Sequence, residues 1–124
     1  VLPEELRAVM KSVTKYTNNT GGSAASSAVT ATTDYTFLMA EFEIFGAKTN
    51  ANQYEQSKQA QYDYFKAGNP KVFYRHSATT TAVIAWLRSP YAGNSNIFCL
   101  VTPSGAAYSG IASYSRGVAP GFCA

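Results

Sequence analysis

The 124-residue chain is long enough for one domain around a single core and too short for two. Ten Lys and Arg against seven Asp and Glu leave a net charge of +3, with no cluster of basic residues that could track phosphates, so nucleic acid is not an expected partner. No apolar run approaches the ~18 residues that cross a bilayer, and no signal peptide is visible, so membrane insertion is not expected. The first residue is Val1 rather than Met, and the chain is read as the C-terminal part of a longer one.

Leu2-Pro3-Glu4-Glu5 has the features of a helix start, with proline in the first turn and acids at the positive dipole end. Leu6, Val9, Met10, Val13 and Tyr16 continue it as one apolar stripe that ends at Asn18-Asn19-Thr20-Gly21-Gly22. This helix is expected as a packing element. Ser23 to Thr33 is low in complexity and reads as an exposed loop or a weak edge strand. Asp34 to Met39 reads as a strand, and Glu41 to Gly46 as a short helical turn closed by its glycine. Gln56 to Lys66 reads as a second helix with a thin apolar stripe, Lys71 to Arg75 as a short strand, and His76 to Thr81 as a loop.

Few residues invite a catalytic reading. Glu41 and Glu43 stand two apart, so on a helix they point about 200° apart and cannot share a substrate; solvated or cap-forming carboxylates are expected. His76 has no nucleophile signature around it and is expected at the surface. Cys99 and Cys123 fall on expected strands of one sheet and read as reduced buried thiols, or as a disulfide where those strands are neighbours. Their apolar context raises a thiol's pKa and lowers its reactivity. With a single histidine and no CxxC spacing there is no zinc set, and no metal, cofactor or catalytic residue is assigned.

Beyond Arg75 there is no Asp, Glu or Lys, and the formal charges are Arg88 and Arg116 alone. Such a segment is either a buried sheet or a surface that binds without using charge. Ala82 to Leu87 reads as a strand stopped by Ser89-Pro90, and Asn96 to Thr102 as a second, nearly all apolar. Pro103-Ser104-Gly105 is a turn, and Ala106 to Tyr114 a weaker strand with Gly110 as a bulge or close-approach point. Val118 to Cys123 is a short strand interrupted by Pro120, which suits an edge. Arg88, charged on an apolar strand, is expected to cap backbone carbonyls of the C-terminal loops or to pair with an acid from the first half. Trp86 is expected in the core between sheet and first helix.

The motif Trp86-Leu87-Arg88-Ser89-Pro90, a strand–turn–strand with an internal glycine, and Arg116-Gly117-Val118-Ala119-Pro120-Gly121-Phe122 together resemble a family of uncharacterised domains of gut Gram-positive bacteria and their phages. The usual family form is W-W-L-R-S-P followed by G-V-R-P-A-F. Leu2-Pro3-x-x-Leu6, Thr36-Phe37-Leu38-Met39-x-x-Glu43-x-Phe45-Gly46 and Tyr62-x-Tyr64-Phe65 also have counterparts, so the resemblance spans essentially the whole chain. Ala85 replaces the first tryptophan, and Ala119-Pro120-Gly121 replaces Arg-Pro-Ala. The resemblance implies an α+β domain of C-type-lectin-like fold, two helices packed on a small, mostly antiparallel sheet. It also implies similarity to the variable proteins of diversity-generating retroelements, in which adenine-directed mutation falls on exposed Asn and Tyr positions near the C-terminus. The calcium-ligating motifs of lectins with this fold are missing, and the last third offers no carboxylate ligand.

On that resemblance the framework is expected to comprise Trp86, Arg88, Pro90, Phe98, Gly105, Gly117, Pro120 and Phe122. The displayed, ligand-binding residues are expected among Tyr91, Asn94, Asn96, Leu100, Thr102, Tyr108, Ser109, Ile111 and Tyr114. Tyr, Asn and Ser among Gly also form the vocabulary of adaptable binding surfaces. The implied function is a non-enzymatic display domain on a phage tail or bacterial surface that recognises a protein or cell-surface ligand. The alternative is a structural or assembly module of such a protein, and homo-oligomers are compatible with either.

Overall fold

In the computed structural model, residues 2–124 are described, and they form an α+β domain of short elements. Helix α1 (Glu4–Val9) leads into strand β1 (Val13–Asn18), and a 3-10 turn (Ser26–Ala28) leads into β2 (Val29–Asp34). Strand β3 (Thr36–Leu38) and helix α2 (Glu41–Phe45) follow. A 3-10 segment (Gln53–Lys58) and helix α3 (Asp63–Lys66) come before the hairpin β4 (Phe73–Arg75) and β5 (Ala78–Val83). The chain ends with β6 (Ala85–Pro90), β7 (Ile97–Val101), β8 (Ala107–Ile111) and β9 (Pro120–Phe122).

The strands make four small antiparallel sheets rather than one: β1–β2, β3–β9, β4–β5 and β6–β7–β8. A single parallel bridge, Ala85 to Gly117, lies outside them among the described residues. The core is a cluster of Ile44, Ala51, Phe65, Leu87, Cys99 and Val101, with Met39, Phe45, Tyr62 and Phe73 packed on it. Three-stranded sheet, α2 and α3 thus share one apolar centre.

Several expectations need correction. The helix opening at Leu2-Pro3 stops at Val9, and α1 buries no residue. From Val13 the chain is a strand paired through all six residues with β2. Val13, Thr14, Tyr16 and Thr17 are β-branched or aromatic, and the partner strand Val-Thr-Ala-Thr-Thr-Asp is equally rich in β-formers, so pairing overrides the helical spacing. The second helix breaks in two at Gln59, which is extended (φ −132°, ψ 159°). Its side-chain amide donates to the Tyr16 carbonyl on β1 at 2.8 Å and to Glu55 Oε2 at 3.3 Å. Thr79, Thr80 and Thr81 belong to β5 rather than to a loop. The expected strand Ala82 to Leu87 is instead divided at Ile84 between β5 and β6. Ser89 and Pro90, expected to stop it, belong to β6, an edge strand whose register with β7 shifts between Trp86 and Pro90 and so tolerates the proline. Trp86 lies half-buried on the opposite side of β6 from Leu87, its ring beside Gly110, and α1 buries no residue.

Other expectations hold. α2 ends at Gly46, which is left-handed (φ 67°). Gly110 is a close-approach point without a bulge: a Cβ there would lie 3.0 Å from Leu100 Cδ2 and 3.4 Å from Trp86 Cη2. His76 is exposed, in the turn between β4 and β5.

The cysteines lie on different sheets or beside them and are both free; Cys99 is buried on β7 and Cys123 is exposed. Burial pushes the Cys99 thiol far up, and the neighbouring Glu41 and Glu55 carboxylates add to the shift. A thiol reagent applied to the folded protein should therefore titrate Cys123 and spare Cys99 until denaturant is added. Equal labelling rates for the two would contradict this placement.

Candidate functional site

The strand that carries the Trp86–Pro90 motif is fixed from below by buried ionic and polar contacts. Arg88 meets Glu43 through both carboxylate oxygens, Nη1 to Oε2 at 2.7 Å and Nη2 to Oε1 at 2.8 Å. The same guanidinium donates to the Leu38 carbonyl at 2.8 Å and to Thr17 Oγ1 at 2.8 Å. One side chain of β6 thus ties down β1, β3 and α2. The expected acid from the first half is Glu43, while the carbonyl capped belongs to β3 rather than to a C-terminal loop.

Glu43 is neither solvated nor free to act on a substrate. Its Oε2 also accepts from the Ala40 N–H at 2.9 Å, as a helix-capping carboxylate does, and from Tyr62 Oη at 3.0 Å. Lys15 Nζ donates to Oε1 at 3.1 Å and to Tyr62 Oη at 3.0 Å. Burial works to raise the Glu43 pKa, but the Arg88 bonds and charge, the Ala40 N–H and Lys15 outweigh it and hold the carboxyl below its ordinary 4.5. Five donors on two oxygens leave no lone pair for chemistry, so this is a structural clamp.

A second buried carboxylate, Glu55, braces the next residue of the motif. Ser89 Oγ donates to Glu55 Oε2 at 2.8 Å and accepts from the Glu41 N–H at 3.1 Å, while the Asn18 N–H donates to Glu55 Oε1 at 2.8 Å. Here burial wins over the hydrogen bonds, and the pKa is raised above 4.5. The two glutamates therefore act on stability with opposite signs. Glu43 contributes stability that is present above pH 4.5 and lost as pH falls through its depressed value. Glu55 contributes stability that is present below 4.5 and lost as pH rises through its elevated value. Urea denaturation across pH ~3 to ~7 should show Glu43→Gln removing part of the acid-side decline and Glu55→Gln removing part of the decline towards neutrality. Identical pH profiles for both variants and the parent would refute the assignment.

Above this clamp lies the three-stranded sheet. Leu87, Cys99 and Val101 face the core, and the alternate positions Phe98, Leu100, Tyr108 and Gly110 face away from it with Trp86. The expected display residues split across this geometry. Leu100, Thr102 and Tyr108 share the outer parity, and Ser109 and Ile111 the inner one. Leu100 is not displayed: only 4% exposed, it lies with the Trp86 ring over the space that Gly110 leaves open. Tyr91, Thr102 and Ser109 are half-buried. Thr102 Oγ1 accepts from the Ala106 N–H and pairs with Ser104 Oγ, so it shapes the turn between β7 and β8.

Five of the nine are exposed: Asn94 and Asn96 in the β6–β7 loop, Tyr108 (64%) and Ile111 (42%) on β8, and Tyr114 (54%) just beyond. Ile111 escapes burial despite its inner parity because it closes the end of β8. The Asn94–Ser95 loop is itself backed by Gly22 (φ 65°), where a Cβ would lie 2.7 Å from the Ser95 nitrogen. Phe122, expected as framework, is 42% exposed.

A groove that the sequence did not suggest runs between the β4–β5 hairpin and residues 115–119, with a volume of about 660 Å³. Arg75, His76 and Arg116 line it together with Phe73, Val83 and Val118. The signal available beforehand was Arg116 itself, an isolated cation in an otherwise nearly uncharged third.

Among the described residues no three His, Cys, Asp or Glu side chains gather as metal ligands, and no helix is long and apolar enough to cross a membrane. Fold and site together define a small α+β domain with an arginine-clamped motif strand and an exposed Tyr/Asn rim. The chain belongs to the DUF6273 family, described as a domain of unknown function, whose profile matches residues 1–124. No curated protein and no solved structure matches it.

Proposed function

We propose that this domain is a ligand-binding display module of C-type-lectin-like architecture, carried by a phage tail or bacterial surface protein. Its contact surface is the rim of Asn94, Asn96, Tyr108, Ile111 and Tyr114, and its ligand is a protein or cell-surface structure. The observation that carries this reading is the exposure of Tyr108 and Ile111 on β8 and of Tyr114 just beyond it, next to the exposed Asn94 and Asn96 of the β6–β7 loop, which the Ala112 N–H ties to the end of β8 through the Asn96 carbonyl. Tyrosine provides large contact area at low entropic cost, and asparagine adaptable hydrogen bonds. The resemblance to retroelement-diversified proteins adds that these positions vary between copies of the gene.

Sequencing the 3′ end of the gene across a natural population tests this reading. Substitutions concentrated at the codons for the five rim residues, with those for Trp86, Arg88, Leu100 and Gly110 fixed, are the expected result. Uniform variation along the gene would remove the diversification reading. The assembly alternative draws support from Val118 (64%) and Phe122 (42%), exposed apolar side chains at and beside β9. A stable oligomer by light scattering that Phe122→Glu dissociates would favour assembly over display.

A further inference from the structure

We propose that the groove between the β4–β5 hairpin and residues 115–119 is a binding site for an organic carboxylate with an apolar body. It is separate from the display rim and does not rest on the display reading.

Charge comes first. Arg75 and His76 stand at the tip of the hairpin, where the β4–β5 register shifts, and Arg116 stands on the facing segment. No Asp or Glu lines the groove. Both ion pairs among the described residues converge on Glu43, from Lys15 and Arg88, so neither Arg75 nor Arg116 has a carboxylate partner. Arg116 donates to the Ser115 carbonyl at a long 3.4 Å, and its guanidinium carbon lies 5.1 Å from the Tyr114 ring centroid. That contact orients the guanidinium without neutralising it. Two planar forks and a histidine without counter-charge suit a planar anion, which arginine binds in bidentate fashion.

The floor sets the rest of the ligand. Phe73 and Val83 on the hairpin side and Val118 on the facing segment supply apolar lining beside the cations. A volume of 660 Å³ falls within the roughly 300–1,000 Å³ range of small-molecule sites. A bare anion would leave that surface in water, whereas an apolar body attached to the carboxylate covers it.

The wall that carries Arg116 is pre-set. The Gly117 N–H donates to the Ile84 carbonyl at 2.9 Å, and the Trp86 N–H donates to the Gly117 carbonyl at 2.9 Å. The segment is thus bonded to the β5–β6 junction on both sides of one residue. A Cβ at Gly117 would lie 3.1 Å from Ile84 oxygen, so glycine permits this approach. Little backbone ordering of this wall remains when a ligand arrives, which leaves the Arg116 side chain as the part to be ordered.

The test is titration of the ¹⁵N-labelled domain with 3-phenylpropionate, with 3-phenylpropanamide and inorganic phosphate as comparison probes. Saturable shifts of the Arg75, His76, Gly117 and Val118 amides are expected, with a dissociation constant of ~1 mM for the carboxylate and ~10-fold weaker binding of the amide. Arg75→Gln/Arg116→Gln should abolish saturation while the amides of Leu87 and Cys99 keep their positions, which shows that the core is intact. Arg116→Lys, which keeps the charge and loses the fork, should weaken binding ~3- to 10-fold. Absence of saturable shifts up to ~50 mM, or equal responses to the amide or to phosphate, would overturn the proposal.

Discussion

Replacing Arg88 by alanine should lower the free energy of unfolding by about 3–5 kcal/mol, the usual cost of removing one partner of a buried ion pair. The pair is well enclosed, with side-chain exposures of 13% for Arg88 and 4% for Glu43. Truncation strands the Glu43 carboxylate with Lys15 and Tyr62 as its remaining side-chain partners, and it orphans the Leu38 carbonyl and Thr17 hydroxyl. Arg88→Lys should recover part of the loss, since the charge persists but a single ammonium cannot span both carboxylate oxygens. Arg88→Met/Glu43→Leu should be less destabilised than either single truncation, because no unpaired charge is left behind. Urea denaturation gives these values, and a loss below about 1 kcal/mol for Arg88→Ala would mean that the pair behaves as a surface one.

Glu41→Ala is expected to be comparably damaging, at about 3 kcal/mol or more, for a different reason. Glu41 is fully buried, and its Oε1 accepts the backbone N–H groups of Thr49 (2.7 Å), Asn50 (3.0 Å) and Ala51 (3.0 Å). It organises the loop after α2, whose other backbone ties are the isolated Ala51–Tyr91 bridge and the Ala92 N–H donated to the Asn50 carbonyl at 3.0 Å. Without the carboxylate, these donors lose a charge-assisted acceptor, and the cost falls most on the buried Ala51 N–H, since Thr49 is exposed. The melting temperature should fall by roughly 10–15 °C. Glu41→Gln should fall between parent and alanine, because its amide nitrogen cannot accept from the Asn50 N–H that now also reaches Oε2 at 3.0 Å. A shift of only a degree or two for Glu41→Ala would show that water replaces the carboxylate.

Both predictions involve glutamates read from sequence as solvated or cap-forming; Glu43 does cap the Ala40 N–H, but neither side chain is solvated, and that part of the reading fails for a physical reason. Spacing shows that Glu41 and Glu43 diverge on a helix, but not that α2 is packed from both sides. Glu43 meets its partner 45 residues away, and Glu41 turns to its own following loop. Arg88 was legible because a lone cation on an apolar strand must find an anion; which anion was not, because pairing at such separation leaves no local pattern. Val13 to Asn18 carried helical and strand signals together, and the partner that decided between them, Val29 to Asp34, read largely as an exposed loop or a weak edge strand. On β7, one register step separates Leu100 from Cys99, and outward parity did not secure exposure because Trp86 folds over the glycine opposite. The groove was illegible because the hairpin tip and residues 115–119 meet only in three dimensions, whereas turns at Gly46 and Gly105 were readable from the glycines alone.

The pairing of β3 with β9 also bears on how the domain is made. Leu38 stands opposite Pro120 and Thr36 opposite Phe122, while the Lys11 N–H donates to the Cys123 carbonyl at 2.8 Å. At ~5–20 residues per second, a ribosome needs roughly 4–16 s to progress from Leu38 to Pro120. Throughout that interval the β3 edge and the α1–β1 junction are exposed on the nascent chain without their natural neighbours. Closure is therefore a late, long-range event, and a folding helper that shields an unpaired strand edge during synthesis would find its substrate in Thr36-Phe37-Leu38.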